Sequence, residues 1–197
     1  MINYKNIVRL NGMSFSEYLS IDRYSQSSLK NNRNGVSEAI TITDNIRIGS
    51  LVDGILTDPK TVNMSSQLYP YCKEISFKIK EFLGSEISSL KSQVSYTADV
   101  EMDNFSLPVK GRLDFLLENI ATVDIKITKS KNIDDLIKFM GYENQLWHYS
   151  KMANTPKAYL IIYCIPLKRV IVKSVDVGSD TNEFWAEKII DFGKVAA

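Results

Sequence analysis

Residues 110–130, KGRLDFLLENIATVDIKITKS, limit the fold more than any other stretch of the chain. Two apolar runs with a period of two are joined by a short ENIA connection, the pattern of adjacent strands. Strand side chains alternate between faces. In TVDIKIT, Val123, Ile125 and Ile127 therefore share an apolar face, and Thr122, Asp124, Lys126 and Thr128 a polar one. In GRLDFLL the same rule sets Leu113, Phe115 and Leu117 against Arg112 and Asp114. Each run carries an aspartate where a buried strand would place valine or leucine. A buried carboxylate without a partner is costly, or it takes up a proton. If the two runs pair, Asp114 and Asp124 meet across neighbouring strands.

The rest of the chain supplies layers for that sheet. IRIGSLVDGILTDP predicts an amphipathic helix, with Ile48, Leu51, Val52, Ile55 and Leu56 on one stripe and Pro59 as its stop. KEISFKIKEFLGSEI predicts a second helix ending around Gly84. QVSYTADVEM and LPVKGRLDFLLE read as an antiparallel pair. KNIDDLIKFMGYENQLWHYSKMAN reads as helix with a break at Gly141. KAYLIIYCIP and RVIVKSVDV add strands, and TNEFWAEKIIDFGKV a closing helix. Residues 1–45 read as a polar, irregular N-terminal extension packed on the core, with a helix start at YSQSSLK that Ser25, Ser27 or Ser28 can cap. This order predicts a single α/β domain over residues 1–197, a mixed central β-sheet flanked by α-helices.

Two carboxylates at contact distance repel unless a cation lies between them. Magnesium is a hard ion that takes oxygen ligands and keeps several waters. Lys126, on the face of Asp124, can stabilise developing negative charge. A metal that activates water beside such a cation suits phosphodiester hydrolysis. The plain alternative for Asp124 and Lys126 is an exposed ion pair, which contributes little.

GRLDF, then VDIKIT, then QLWHY on the following helix resembles the PD-(D/E)XK nuclease superfamily, in particular its RecB-type and exodeoxyribonuclease VIII-like (lambda-exonuclease-like) branches. The likeness runs from about Tyr24 to Tyr149. It implies a restriction-endonuclease-like core. It implies Asp114 and Asp124 as metal ligands, with the Ile125 carbonyl as a further one, and Lys126, Gln145 and Tyr149 as catalytic residues. YSQSSLK and IGSLVDGILTDP resemble the upstream segments of the exodeoxyribonuclease VIII-like members, which usually carry Gly-x-x-x-His; here Gly49 is followed by Asp53. That position implies Asp53 as a third ligand, against a solvated helix flank. The resemblance also implies magnesium, with manganese as substitute, and DNA as substrate. It implies a role in recombination or DNA-end processing of the kind found in phages. Its expected partners are a recombination or single-strand-annealing protein and further copies of the chain. Other readings of the same fold are a structure-specific endonuclease and a module that binds nucleic acid or protein without cutting.

Several residues carry two readings each. Arg112 can contact phosphate or pair with a carboxylate. Ser25, Ser27 and Lys30 can meet the DNA backbone or cap a helix. Lys129 and Lys131 extend a basic strip suited to phosphate. Tyr149 can serve the site or the core, and Trp147 and Trp185 read as core. His148, the sole histidine, points about 100° from Tyr149 around a helix and reads as surface or as support for the site. A net charge of +1 requires any nucleic-acid partner to be drawn by a local patch. Two distant cysteines exclude a four-cysteine zinc or iron–sulfur site within one chain and suit a reducing, cytoplasmic setting. The opening residues have no signal-peptide core, and no apolar run reaches membrane-spanning length.

Overall fold

The structure, a computed structural model, describes residues 2–25, 44–102 and 105–178. Its elements are β1 (Asn3–Leu10), α1 (Phe15–Ser20), β2 (Tyr24–Ser25), α2 (Asp44–Thr57), α3 (Tyr69–Leu83), β3 (Lys91–Met102) and β4 (Phe105–Leu117). There follow β5 (Ala121–Thr128), α4 (Ile133–Met140), α5 (Tyr142–Ala153), β6 (Lys157–Cys164) and β7 (Arg169–Val175). The described strands form one seven-stranded sheet in the order β1-β3-β4-β5-β6-β7, with β2 beside β4. β5 and β6 run parallel because α4 and α5 carry the chain back between them. The other neighbours along the path are antiparallel. This is the mixed α/β sheet flanked by helices that the periodicities predict, and it is consistent with a restriction-endonuclease-like core.

Two layers sandwich the sheet. On one face α2 (Ile48, Val52, Ile55) and α3 (Cys72, Ile75, Ile79) pack on Phe115, Val123, Ile161 and Tyr163. On the other, α5 sets Leu146 and Trp147 over Leu160 and Ile162, and Tyr149 and Met152 against Val94, Val109 and Leu113. Gly141, at φ 65°, ends α4 at the expected break. α3 begins at Tyr69, earlier than its apolar period indicates, with Pro70 in the first turn where a missing N–H costs nothing.

The N-terminal segment departs from its polar, irregular reading. β1 forms an edge of the sheet against β3. α1 is fixed by a capping box in which Ser14 accepts from the Glu17 N–H and Glu17 from the Ser14 N–H. Tyr24 and Ser25 lie in a short strand beside Val109 and Lys110, and the helix start expected after them lies outside the described residues. Ser27, Lys30 and the segment with Trp185 that is expected to form a closing helix lie outside the described residues as well. Lys110, buried under this segment, donates to the Tyr18, Leu19 and Ile21 carbonyls at 3.1, 3.1 and 2.9 Å. The ammonium thus gathers carbonyls at the C-terminal end of α1, where helix carbonyls run out of intrahelical donors.

His148 is not a surface residue. It is 2% exposed, and the Tyr4 hydroxyl of β1 lies 2.5 Å from its Nδ1. β1 covers a side of α5 that would otherwise face water. Burial lowers the imidazole to about 4, against an ordinary value of about 6.5. The native state therefore binds fewer protons than the unfolded state between these values. The stability from a neutral His148 is present above pH 6.5 and is lost as pH falls toward 4, about 3 kcal/mol in all. Urea unfolding of wild type and His148→Gln should show a stability gap that narrows over this window. A gap constant with pH would place the acid sensitivity elsewhere.

Candidate active site

The sheet opens a notch at the paired aspartates. β4 pairs with β5 only through Phe115–Val123, Leu116–Thr122 and Leu117–Ala121, and with β2 at Val109 and Lys110. Asp114 and Asp124 are the next residues past the Phe115–Val123 pair, where the two strands part. The Asp114 carboxylate takes the place of a ladder acceptor there: its Oδ2 accepts the Ile125 N–H at 2.9 Å. A strand residue's N–H and C=O point to the same edge, so the Ile125 carbonyl faces the notch as well.

The strict alternation expected of GRLDFLL fails at this point. Leu113 packs in the cluster beneath α5, whereas Phe115 packs beneath α2 and α3. Opposite Asp114, between the Ser92–Phe115 and Val94–Leu113 pairs, lies Gln93 at φ 54°. That backbone conformation is uncommon for a residue with a side chain.

Asp124 is 2% exposed, and its Oδ2 lies 2.5 Å from the Lys126 ammonium. The pair is therefore largely buried rather than an exposed surface pair. Burial would lower the Lys126 pKa, but Asp124 and then Asp114 more than reverse this and hold it above the ordinary lysine value. The Asp114 carboxyl is raised well above its usual range, first by burial and then by Asp124. The Asp114 carboxylate is thus poorly compensated by the protein alone.

Gln145 and Tyr149, one helical turn apart on α5, meet as expected: Gln145 Nε2 donates to the Tyr149 hydroxyl at 2.9 Å. Burial, with Asp124 adding to it, keeps that hydroxyl protonated. Tyr149 also belongs to the core, as one of its two readings expects. Tyr142 completes the stripe at i, i+3, i+7, its ring 5.3 Å from the Lys126 ammonium. The helical period alone could have flagged it.

Gly111 explains how α5 approaches so closely. A Cβ there would fall 2.9 Å from Tyr149 Cε1 and overlap Met152 Cε. Gly49 on α2, by contrast, has open space around it. Gly111→Ala should lower the melting temperature more than Gly49→Ala does, because Tyr149 must move off Gln145. Equal melting of the two variants would show that α5 yields freely.

Asp53, on α2, accepts from Gln93 Nε2 at 3.1 Å on each oxygen. Burial raises its pKa, with Lys126 opposing and Asp124 adding. It therefore shares the field of the notch and is not a solvated flank. Among the described residues, no three acidic, histidine or cysteine side chains converge closely enough to hold an ion together. Arg112 Nε donates to Gln93 Oε1 at 2.7 Å, and its Nη1 to the Met13 carbonyl and to Ser95 Oγ at 3.1 Å each. Arg112 thus meets the Asp53 carboxylate through the Gln93 amide rather than by a direct hydrogen bond. Ser25 is half-buried in β2, and Lys129 and Lys131 are exposed just past β5. Gln93 escaped the sequence reading because nothing in QVSYTADVEM distinguishes it from an ordinary strand residue.

No protein-family model matches the chain, and no curated protein matches it. Among solved structures it is similar to "Putative exonuclease" from Eubacterium rectale, with a TM-score of 0.63 and 16% identity over 93% of this chain and 85% of that one. The structure of SSO0001 matches with a TM-score of 0.48 and 15% identity over 93% and 87%. The first likeness shows a shared fold.

Proposed function

We propose that the protein is a metal-dependent deoxyribonuclease of the PD-(D/E)XK superfamily that hydrolyses DNA phosphodiester bonds, acting as an exonuclease in DNA-end processing for recombination. The observation that carries this reading is the notch itself. Two crowded carboxylates, Asp114 and Asp124, lie where strands part, with the Lys126 ammonium 2.5 Å from Asp124. The order of these residues along the chain and the fold shared with a protein named as an exonuclease support it.

The donor set suits a hard divalent ion. Asp114, Asp124 and the Ile125 carbonyl offer only oxygen, and the raised Asp114 pKa marks charge that wants a cation. These three would hold magnesium, or manganese in its place, with Asp53 in reach of the same field. Bound there, the ion would lower the pKa of a water and polarise a phosphoryl oxygen. The chain's own groups do the rest. With an ion beside Asp124, Lys126 is free to face the developing charge on the phosphate. Tyr142 limits where its ammonium can move. The protonated Tyr149 hydroxyl, held by Gln145, is a donor aimed at the attacking water or a phosphate oxygen. Lys129 and Lys131, with Ser25, Ser27 and Lys30 from the N-terminal segment, are proposed contacts to the DNA backbone. A recombination or strand-annealing partner and a homo-oligomer around the DNA belong to the same reading.

The test is digestion of linear and circular DNA side by side with magnesium or manganese. Loss of the linear form alone supports an exonuclease. Cutting of both indicates an endonuclease. No cutting of either, with binding retained in calcium, makes the protein a non-cleaving module.

A further inference from the structure

We infer that Gln93 is a positioning residue that ties Asp53 to Arg112, setting the acidic and basic flanks of the notch as one unit. This rests on the reading of the notch as a cation site with Asp53 at its border.

Chemistry fixes the direction of the Gln93 amide. Arg112 has only donors, so the amide oxygen must face its Nε, 2.7 Å away. The amide nitrogen therefore faces Asp53, 3.1 Å from both carboxylate oxygens. Arg112 is held from its far side as well. Arg112 is pinned by Ser95 Oγ and the Met13 carbonyl, and its guanidinium lies 5.8 Å from the Phe15 ring and 5.9 Å from the Tyr18 ring. Asp53 is half-buried at the margin of the apolar stripe of α2. Gln93 spans from it to the anchored Arg112.

The backbone adds a second, independent observation. Gln93 holds φ 54° at the third residue of β3, between the Ser92–Phe115 and Val94–Leu113 pairs that flank Asp114. A residue with a Cβ persists there only when its surroundings hold it, and such positions cluster at functional sites. Glycine would adopt that conformation without strain. A side chain kept at a glycine-like position, with both ends of its amide engaged, is explained by what the amide holds.

Outer partners that orient metal ligands typically alter affinity when removed. The experiment is calcium titration calorimetry, with ion-free melting, on wild type, Gln93→Gly, Asp53→Ala and the double variant. Gln93→Gly removes the amide and suits the backbone. It is expected to melt in ion-free buffer at or above the wild-type temperature and yet to bind calcium about tenfold more weakly. Gln93→Asn, which tolerates the same φ but is one methylene too short to span, should bind as weakly as the glycine variant. The double variant should bind no more weakly than Asp53→Ala alone, because the amide acts through that carboxylate. Wild-type affinity in Gln93→Gly, full additivity in the double variant, or a marked fall in the ion-free melting temperature of Gln93→Gly would each overturn the assignment. Wild-type protein that binds no calcium, magnesium or manganese would instead overturn the functional reading, and this inference with it.

Discussion

Lys126→Ala is expected to lower single-turnover DNA cleavage by roughly 10²–10³-fold, the scale of removing one preorganised electrostatic donor. The same variant should bind calcium at least as tightly as wild type, because a cation competing for Asp124 has gone. Its ion-free stability should nevertheless fall. Asp124 is 2% exposed and has the Lys126 ammonium 2.5 Å away. Removing one partner of a buried pair leaves an uncompensated charge, at a cost of about 3 kcal/mol. Saturating calcium should restore most of that loss by binding the native state. The expected signature is thus a low melting temperature without ion, near-normal melting with it, and slow cleavage in magnesium. Unchanged cleavage would remove Lys126 from the mechanism. Unchanged ion-free melting would mean that Asp124 finds another partner.

Asp114→Asn is expected to abolish cleavage and the calcium-induced rise in melting temperature together. The fold should survive, because an asparagine oxygen can still accept the Ile125 N–H that Asp114 accepts at 2.9 Å. In ion-free buffer the variant should be the more stable protein near neutral pH. The wild-type carboxyl is raised well above its ordinary value by burial and by Asp124. A raised carboxylate pKa means that the native state holds the proton longer than the unfolded state. Stability is then full below the unfolded value of about 3.9 and falls as pH rises through the native one. Asparagine has no such loss, so the gap in its favour should open above about pH 4. Urea unfolding of both proteins in chelator, from acid to neutral pH, measures it. A calcium shift that persists in Asp114→Asn would move the ion site away from the notch.

The period-two runs identified the strands, and the i, i+3, i+4 stripe of residues 48–56 identified α2, because burial of one face writes its period into the sequence. The same rule carried the Asp114–Asp124 encounter: the ENIA turn leaves the two aspartates opposite, and the Phe115–Val123 register puts them there. Gln145 and Tyr149 were legible for a similar reason, being one turn apart on one helix. The N-terminal strand was not. β1 is mostly exposed and carries little periodicity, and only its hydrogen bonds to β3 make it a strand. His148 followed the same course, since a partner 144 residues away decides its burial.

The chain's local order by itself determined the α/β alternation, the two aspartates on adjoining strands and the lysine that shares the second one's face. These depend on periods of a few residues. Only the tertiary structure decided where β4 and β5 part, that Asp124 and Lys126 form a buried pair, and that Gln93 stands between Asp53 and Arg112. The last of these joins α2 to β3 and β4, elements distant in sequence. Contacts between such elements leave no periodic trace, because each side chain answers to a neighbour that folding alone brings near.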